Sequence, residues 1–502
     1  FVCHRALGHE KVPELVDDDD DHPLLAPFTQ EEVERTVRSF KSSGATGLDG
    51  IPAAFLKNLD DRLMASLTRL ANLSLEQGHF PEQALTAKVY AHFKGKGLRS
   101  DPTNYRPIAI TSIAGKVIEK LLARRLTDHL ERTGRLSPNQ GGFRPGLGTA
   151  ETLIYVSEEW HHFTEPRRSD RCPVVNAVFL DIAKCFDRLD RRLLLHSLRV
   201  DGGVPRRLCR LVESFLRPTE GRLQRLEFGC ALSDPLANRF GVPQGACLSP
   251  VLAVLFLNSM GDGLKCQVSQ FADDTLLYST APTVEAQVQD LNDDLATIQA
   301  WCDQNRVDLK PSKCRHLCFD RRRSRQEVKA TAAVVKNQLQ LPTATGPPHT
   351  IPTADRYKLL GVLFTNDLCF DTHVEEGPLR NLKSQVGFVK RLTSGLGSEK
   401  RRVASVVYKG VIRPRSEYAA TVWRPGTSDA LLRQLEVKQR EIARFVIGSS
   451  TRVSNVALMA EAGWRTFEDR HREHALRLLG KIAALPTTHR LRQQLEWSGR
   501  MS

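Results

Sequence analysis

The sequence predicts an α+β fold, on three observations. Residues 174–181 ("VVNAVFLD") form a short, nearly continuous apolar run ending in Asp, the pattern of a buried strand. Residues 269–280 ("SQFADDTLLYST") read as two short strands about an Asp-Asp turn. Amphipathic helical patterns accompany them, and from 374 to the end the pattern is helical with basic residues throughout.

Taken in order, residues 1–28 are expected to form a disordered leader, with Asp17 to Asp21 a run of five acids in a solvated loop. From Thr29, "TQEEVERTVRSF" combines an N-cap residue, early acids and helical apolar spacing. "KSSGATGLDG" is a Gly-rich loop, and 53–77 reads as one amphipathic helix. Residues 86–93 alternate like a strand before "KGKG" turns with two lysines. A strong helix covers 113–131, and 137–149 is a Gly- and Pro-rich loop. A helix should follow Asp181 to about residue 199; 249–260 reads as a buried helix and 284–305 as another. Residues 321–350 are polar and read as a surface excursion, and "YKLLGVLF" (357–364) reads as a strand. No internal repeat is present.

At 502 residues the chain has room for two to four domains or one multi-lobed enzyme. Its 41% hydrophobic and 26% charged residues exclude whole-chain disorder, and the lack of any 18-residue apolar stretch excludes a membrane-spanning helix. Residue 1 is Phe rather than Met, so a fragment or a processed chain is expected. The net charge of +14 is uneven: residues 381–502 carry 23 Lys+Arg against 10 Asp+Glu, a net of +13, leaving +1 for residues 1–380. A basic end on a neutral body points to a polyanion partner, nucleic acid first, with a merely solvating surface as the alternative. Eleven cysteines without a CxxC pair fit a reducing compartment. Cys314, His316 and Cys318 lie close together, but their spacing matches no usual zinc site.

Two strand ends carry chemistry. Asp181 closes one apolar strand and Asp273–Asp274 sits at the turn of an apolar hairpin. An Asp emerging from a core is costly unless it is used or paired. Carboxylates suit Mg²⁺, which takes few protein ligands plus substrate phosphates. Two such ions about 3.5–4 Å apart can serve nucleotidyl transfer. Periodicity alone leaves a structural role open for either site.

"AVFLDIAKCFDRLD", "GVPQGACLSP" and "FADDTLLY" resemble the three palm motifs of reverse transcriptases, in the right order. "GATGLDGIPAAFLK", "NYRPIAITSIAGKVIEKLLARRL" and "NQGGFRPGLGTAETL" resemble segments of non-LTR (LINE-type) retrotransposon enzymes. "LKPSKC" and "YKLLGVLF" are similar to the closing palm motifs, and "IRPRSEYAATVW" and "QREIARFVIG" to the region after them. The resemblance spans about residues 29–465. It implies a right-hand polymerase: fingers and an N-terminal part over 29–170, a palm over 171–372 and a basic helical thumb with an extension over 373–502.

The resemblance also implies roles. Asp181 and Asp273 match the metal-binding aspartates and Asp274 the third acid, with Mg²⁺ as cofactor and Mn²⁺ as an alternative. Phe186 matches a sugar gate that would reject a ribose 2′-OH, although a core Phe is the plainer alternative. Arg106 matches the residue holding the incoming triphosphate, with Lys94 or Lys96 as a second phosphate contact. Gln244 and Gly245 match the loop against template and nucleotide, where Gly permits close backbone approach. Lys310 or Lys313 is a candidate proton donor to pyrophosphate, and a solvated Lys is the alternative for both. Leu360 and Gly361 match the primer-supporting hairpin. "FRPG" (143–146) is either a backbone-contacting loop or a turn with a solvated Arg. Trp423 and Trp464 read as core rather than base-stacking.

The function expected is RNA-directed DNA synthesis: an RNA template, a DNA primer and dNTPs, with the nucleus as compartment and no stable protein partner inferable. The rivals are an inactive or domesticated RNA-binding remnant, which the three intact acids oppose, and an intron-encoded maturase relative, for which no endonuclease tail is seen. A viral RNA polymerase is opposed by the bulky Phe186. Without endonuclease, RNase H or zinc-knuckle patterns, the chain is expected to be the polymerase module of a larger element or a degraded copy.

Overall fold

The computed structural model describes residues 21–165, 174–229, 231–321, 335, 338–343, 346–449, 452–487 and 489–501. Its elements run α1 (Gln30–Arg38), α2 (Asp61–Gln77), β1 (Ala87–Phe93), β2 (Tyr105–Ile110), α3 (Ile113–Arg132), α4 (Thr149–Phe163), β3 (Val174–Asp181), α5 (Arg191–Val200), α6 (Arg206–Leu216) and β4 (Arg222–Phe228). There follow β5 (Ala231–Leu232), β6 (Leu236–Asn238), α7 (Ser249–Leu257), β7 (Gln267–Phe271), β8 (Asp274–Ser279), α8 (Val284–Asn305), β9 (Arg315–Asp320), β10 (Gln340–Leu341), β11 (His349–Thr350), β12 (Arg356–Leu359) and β13 (Val362–Thr365). The principal C-terminal helices are α9 (Arg380–Leu392), α10 (Lys400–Val407), α11 (Asp429–Ile447), α12 (Asn455–Ala462), α13 (Phe467–Ala483) and α14 (Arg490–Met501). The fold is α+β, as the sequence predicts.

The centre is a four-stranded antiparallel sheet in the order β7-β8-β3-β9. Val178, Leu180, Val268 and Leu277 join the helices α7 and α8 in one core. Phe179, Leu276, Tyr278 and Phe319 join α4 and the β12–β13 hairpin in a second. Trp160 of α4 is fully buried there and stacks on Phe319 at 4.2 Å. Both faces of β3 are therefore covered, which is why its sequence is apolar at odd and even positions alike. A second sheet runs β2-β1-β4-β5 with β6 on β4; β1 and β4 are parallel, and the other pairs are antiparallel.

Local physics explains where the elements depart from the sequence reading. The 53–77 helix is two, a turn at Ala53–Leu56 and then α2, which Asp60 caps through the Leu63 amide at 2.8 Å. "YKLLGVLF" is not one strand but the β12–β13 hairpin, turning at Leu360 (φ 44°) and Gly361 (φ 89°). Leu24, Leu25 and Phe28, assigned to the leader, are core residues, so the leader cannot extend to 28; its first 20 residues, with Asp17 to Asp20, lie outside the described ones. Much of 321–350 also lies outside them, but Leu339 and Leu341 are buried in the first core and are not surface. Trp423 and Trp464 are core, as expected.

Candidate active site

The two strand ends meet. In the β3–β8 register Asp181 stands directly opposite Asp274, and both share a sheet face with Phe179, on which Tyr357 of β12 stacks at 4.0 Å. Like charges placed opposite one another across a ladder repel. Asp273 enters through the two-residue turn between β7 and β8, where Ala272 has φ 58°. The site thus gathers acids 92 positions apart in the sequence.

Their electrostatics show the crowding. Burial raises the Asp273 carboxyl above the ordinary range and the Asp181 charge adds to this, against the opposing charges of Arg106 and Lys313. The Asp274 side chain reaches solvent, yet its setting among protein atoms, then the charges of Asp273 and Asp181, push it up to about 6. Lys313 Nζ bonds both Asp181 oxygens at 3.0 and 3.1 Å. Lys310 meets Asp181 only through its backbone amide, at 2.8 Å on the Asp181 carbonyl. Of the two candidate lysines, Lys313 is the one whose ammonium stands at the acids.

Among the described residues no three carboxylate, imidazole or thiol groups lie close enough to hold a metal unaided. Mg²⁺ does not need three, since it usually takes one or two carboxylates and completes its shell with water and phosphate oxygens. Acids that repel one another, one of them already drawing an ammonium, are a donor set that fits a divalent cation. The Cys314–His316–Cys318 group does not: both His316 ring nitrogens are taken, by Asn176 and Thr353 at 3.0 Å, and burial lowers the ring to about 3. The eight described cysteines are all free thiols.

A loop and a hairpin frame the acids. Gln244 donates to Asp187 at 2.9 Å, and its carbonyl accepts the Ala109 amide of β2 at 2.6 Å. Gly245 has φ 114°, and a Cβ there would stand 2.5 Å from the Ala109 oxygen. The close approach this glycine allows is to its own chain. Arg106 is exposed on β2 opposite His92, near enough for its charge to reach Asp273. Lys94 donates to the Thr103 carbonyl at 2.7 Å on the same hairpin, while Lys96 is exposed at its tip. Phe186 is half-buried, and the Phe143 ring meets it edge-on at 6.2 Å. Leu360 and Gly361 form the β12–β13 turn, fastened by the Tyr418 hydroxyl to the Leu360 carbonyl at 2.8 Å.

Arg144 of "FRPG" is not a solvated Arg. It bonds Glu131 at 2.6 and 2.8 Å and the Ser137 carbonyl at 2.8 Å, folded into its own loop. The sequence reading also missed Glu119, a fully buried α3 residue that accepts the Cys247 amide at 2.6 Å and so holds the loop of Gln244. Burial raises its carboxyl and the Arg222 charge opposes that. Glu119→Ala should cost about 2–4 kcal/mol in urea unfolding, because it orphans a buried amide and uncovers Arg222.

Residues 94–364, more than half of the chain, match the family model described as reverse transcriptase (RNA-dependent DNA polymerase). The probable RNA-directed DNA polymerase from transposon X-element of Drosophila melanogaster is 27% identical over 90% of this chain and 48% of its own length. The RNA-directed DNA polymerase from mobile element jockey of Drosophila funebris is 25% identical over 84% and 44%. The chain spans about half the length of the curated relatives it matches. A solved telomerase from Candida tropicalis, with a fragment of telomeric RNA, is similar at 12% identity and a TM-score of 0.39, over 88% of this chain and 71% of its own. The ordered palm motifs, the acids they bring together and the matched span lead to one conclusion: the chain belongs to the reverse transcriptase (RNA-dependent DNA polymerase) family, in its non-LTR retrotransposon branch.

Proposed function

We propose that this chain is the polymerase module of a non-LTR retrotransposon, extending a DNA 3′-OH on an RNA template with dNTPs. The observation that carries this is the convergence of Asp181, Asp273 and Asp274 at the end of one sheet, with Arg106 and Lys313 as the cations whose charges reach them. Asp181, Asp273 and Asp274 would hold Mg²⁺, or Mn²⁺ in its place, which when bound supplies charge to the attacking 3′-oxygen and the leaving pyrophosphate.

The residues supply position and charge. Arg106, with Lys94 or Lys96, would take the triphosphate oxygens, a guanidinium fork suiting two at once. Lys313, released from Asp181 as the site fills, would give a proton to pyrophosphate. Gln244 and Gly245 would lie against template and nucleotide, and the Leu360–Gly361 turn against the primer end. The domain plan is fingers to about 170, palm to about 372 and thumb beyond, with duplex contacts from the basic helices that are independent of sequence and weaken with salt. In this reading the compartment is the nucleus.

The test is extension of oligo(dT) on poly(rA) with labelled dTTP and Mg²⁺, beside an Asp273→Ala control. Product from the parent and none from the control is expected, and equal product from the two would sink the proposal. Phe186→Val should raise incorporation of ribonucleotides relative to deoxynucleotides by about tenfold or more, since a lost steric clash is worth at least 1.4 kcal/mol. An unchanged ratio would return Phe186 to the core.

A further inference from the structure

The turn that carries Asp273 closes the β7–β8 ladder at the Phe271–Asp274 pair and has a strained first residue. Its first central residue is Ala272 at φ 58°, a position that two-residue hairpins of this kind give to glycine. A second support lies 132 positions away. The Gln140 carboxamide is fully buried. Its Oε1 accepts the Ala272 amide at 2.8 Å, and its Nε2 donates to the Ala272 carbonyl at 3.2 Å. One side chain therefore satisfies both polar groups of the strained residue. Gly142 fixes the carboxamide in turn, donating its amide to Oε1 at 2.8 Å.

The segment bearing Gln140 is docked along the same strand. The Gln270 amide donates to the Asn139 carbonyl and the Gly141 amide to the Gln270 carbonyl, both at 2.8 Å. No bulk can separate them. A Cβ on Gly142 would stand 2.3 Å from the Ala272 nitrogen, and one on Gly141 2.3 Å from Thr152 Oγ1. From the far side Arg490 bonds Gln267 at 2.9 Å and also bonds Asn139.

We propose that Gln140 is a positioning residue for nucleotidyl transfer: by clamping both backbone groups of Ala272 it keeps the turn left-handed and so aims Asp273. This rests on the polymerase reading above. Gln140 touches none of the acids and acts through the peptide that precedes one of them. Loss of the clamp would free the turn to relax, moving a carboxylate that must be placed to within a fraction of an ångström.

The test uses the full chain with poly(rA)·oligo(dT), dTTP and Mg²⁺. Gln140→Ala should lower the single-turnover rate by about tenfold or more while duplex affinity stays within about twofold. Amide exchange should speed up at Ala272 and Asp273 but not across β3 and β9. Glycine tolerates φ 58° without a clamp, so Ala272→Gly added to Gln140→Ala should recover at least about threefold of the lost rate. Where the alanine variant does not stay folded, Gln140→Met keeps about the same size and removes both the acceptor and the donor to Ala272; its rate loss and exchange should follow the same pattern. The proposal is overturned if the variant keeps the parental rate, if protection is lost throughout the sheet rather than at the turn, or if the glycine recovers nothing. A parent that extends no primer would overturn the polymerase reading instead, and the exchange measurement would still decide whether Gln140 holds the turn.

Discussion

Asn in place of Asp273 is expected to reduce single-turnover primer extension by about 10³-fold, with duplex binding unchanged, because a preorganised charge at a transferring phosphoryl group is worth several kcal/mol. The same crowding should make the acids a burden on stability. Asp274 is raised to about 6 from an ordinary value near 3.8, by its setting among protein atoms and then by Asp273 and Asp181. A carboxyl raised on folding favours the folded state while it is protonated, below the unfolded value, and that advantage is lost as pH rises through the folded value. The window is about pH 4 to 6. Asp274→Asn should therefore melt at a higher temperature than the parent at pH 8 and within a degree or so of it near pH 4, even as extension falls. Equal melting temperatures at pH 8 would show that the three acids do not repel one another in the folded chain. Adding Mg²⁺ should narrow the gap at pH 8, since a cation relieves in the parent what the amide removes in the variant.

The acids were legible because one short stretch carries both fold and chemistry: an apolar run says strand, and the acid at its end says use. The support around them was not, because its partners are remote. Nothing in "NQGG" marks Gln140 as the clamp of a turn 132 residues on. The β12–β13 turn is hidden by a Leu at φ 44°, a conformation made tenable by Tyr418 from the region after the palm. Strand β9 carries a buried His316, which reads as polar until Asn176 and Thr353 satisfy it. Some of the C-terminal bases pair within the fold. Arg470 bonds Glu417 at 2.8 Å, Arg465 bonds Glu473 at 2.8 Å, and Lys481 bonds Glu151 on α4. Glu417 and Glu473 are already subtracted in the net of +13, so of these pairs only Lys481–Glu151, which ties α13 to α4, takes its acid from outside 381–502 and lowers the charge left for a duplex.

Gly245→Ala should combine a folding cost of about 2–4 kcal/mol with a loss of about 10²-fold in extension. Two penalties coincide there. A φ of 114° is a conformation that L side chains rarely adopt, and the added methyl would stand 2.5 Å from the Ala109 carbonyl oxygen. The loop cannot slide aside, because it is tied on three sides: the Gln244 carbonyl to the Ala109 amide, the Gln244 side chain to Asp187 and the Cys247 amide to Glu119. Relief must come from β2, which carries Arg106 three residues before Ala109. The methyl should therefore displace the proposed triphosphate contact as well as the loop, and KM for dNTP should rise along with the fall in rate. Gly263→Ala separates the two penalties, since Gly263 also has a positive φ, 72°, but its Cβ would meet nothing within 4 Å. That variant should lose only about 1 kcal/mol and keep the parental KM. If the two variants behave alike, strain alone accounts for Gly245; if only Gly245→Ala raises KM, the contact between the loop and β2 is what sets the nucleotide site.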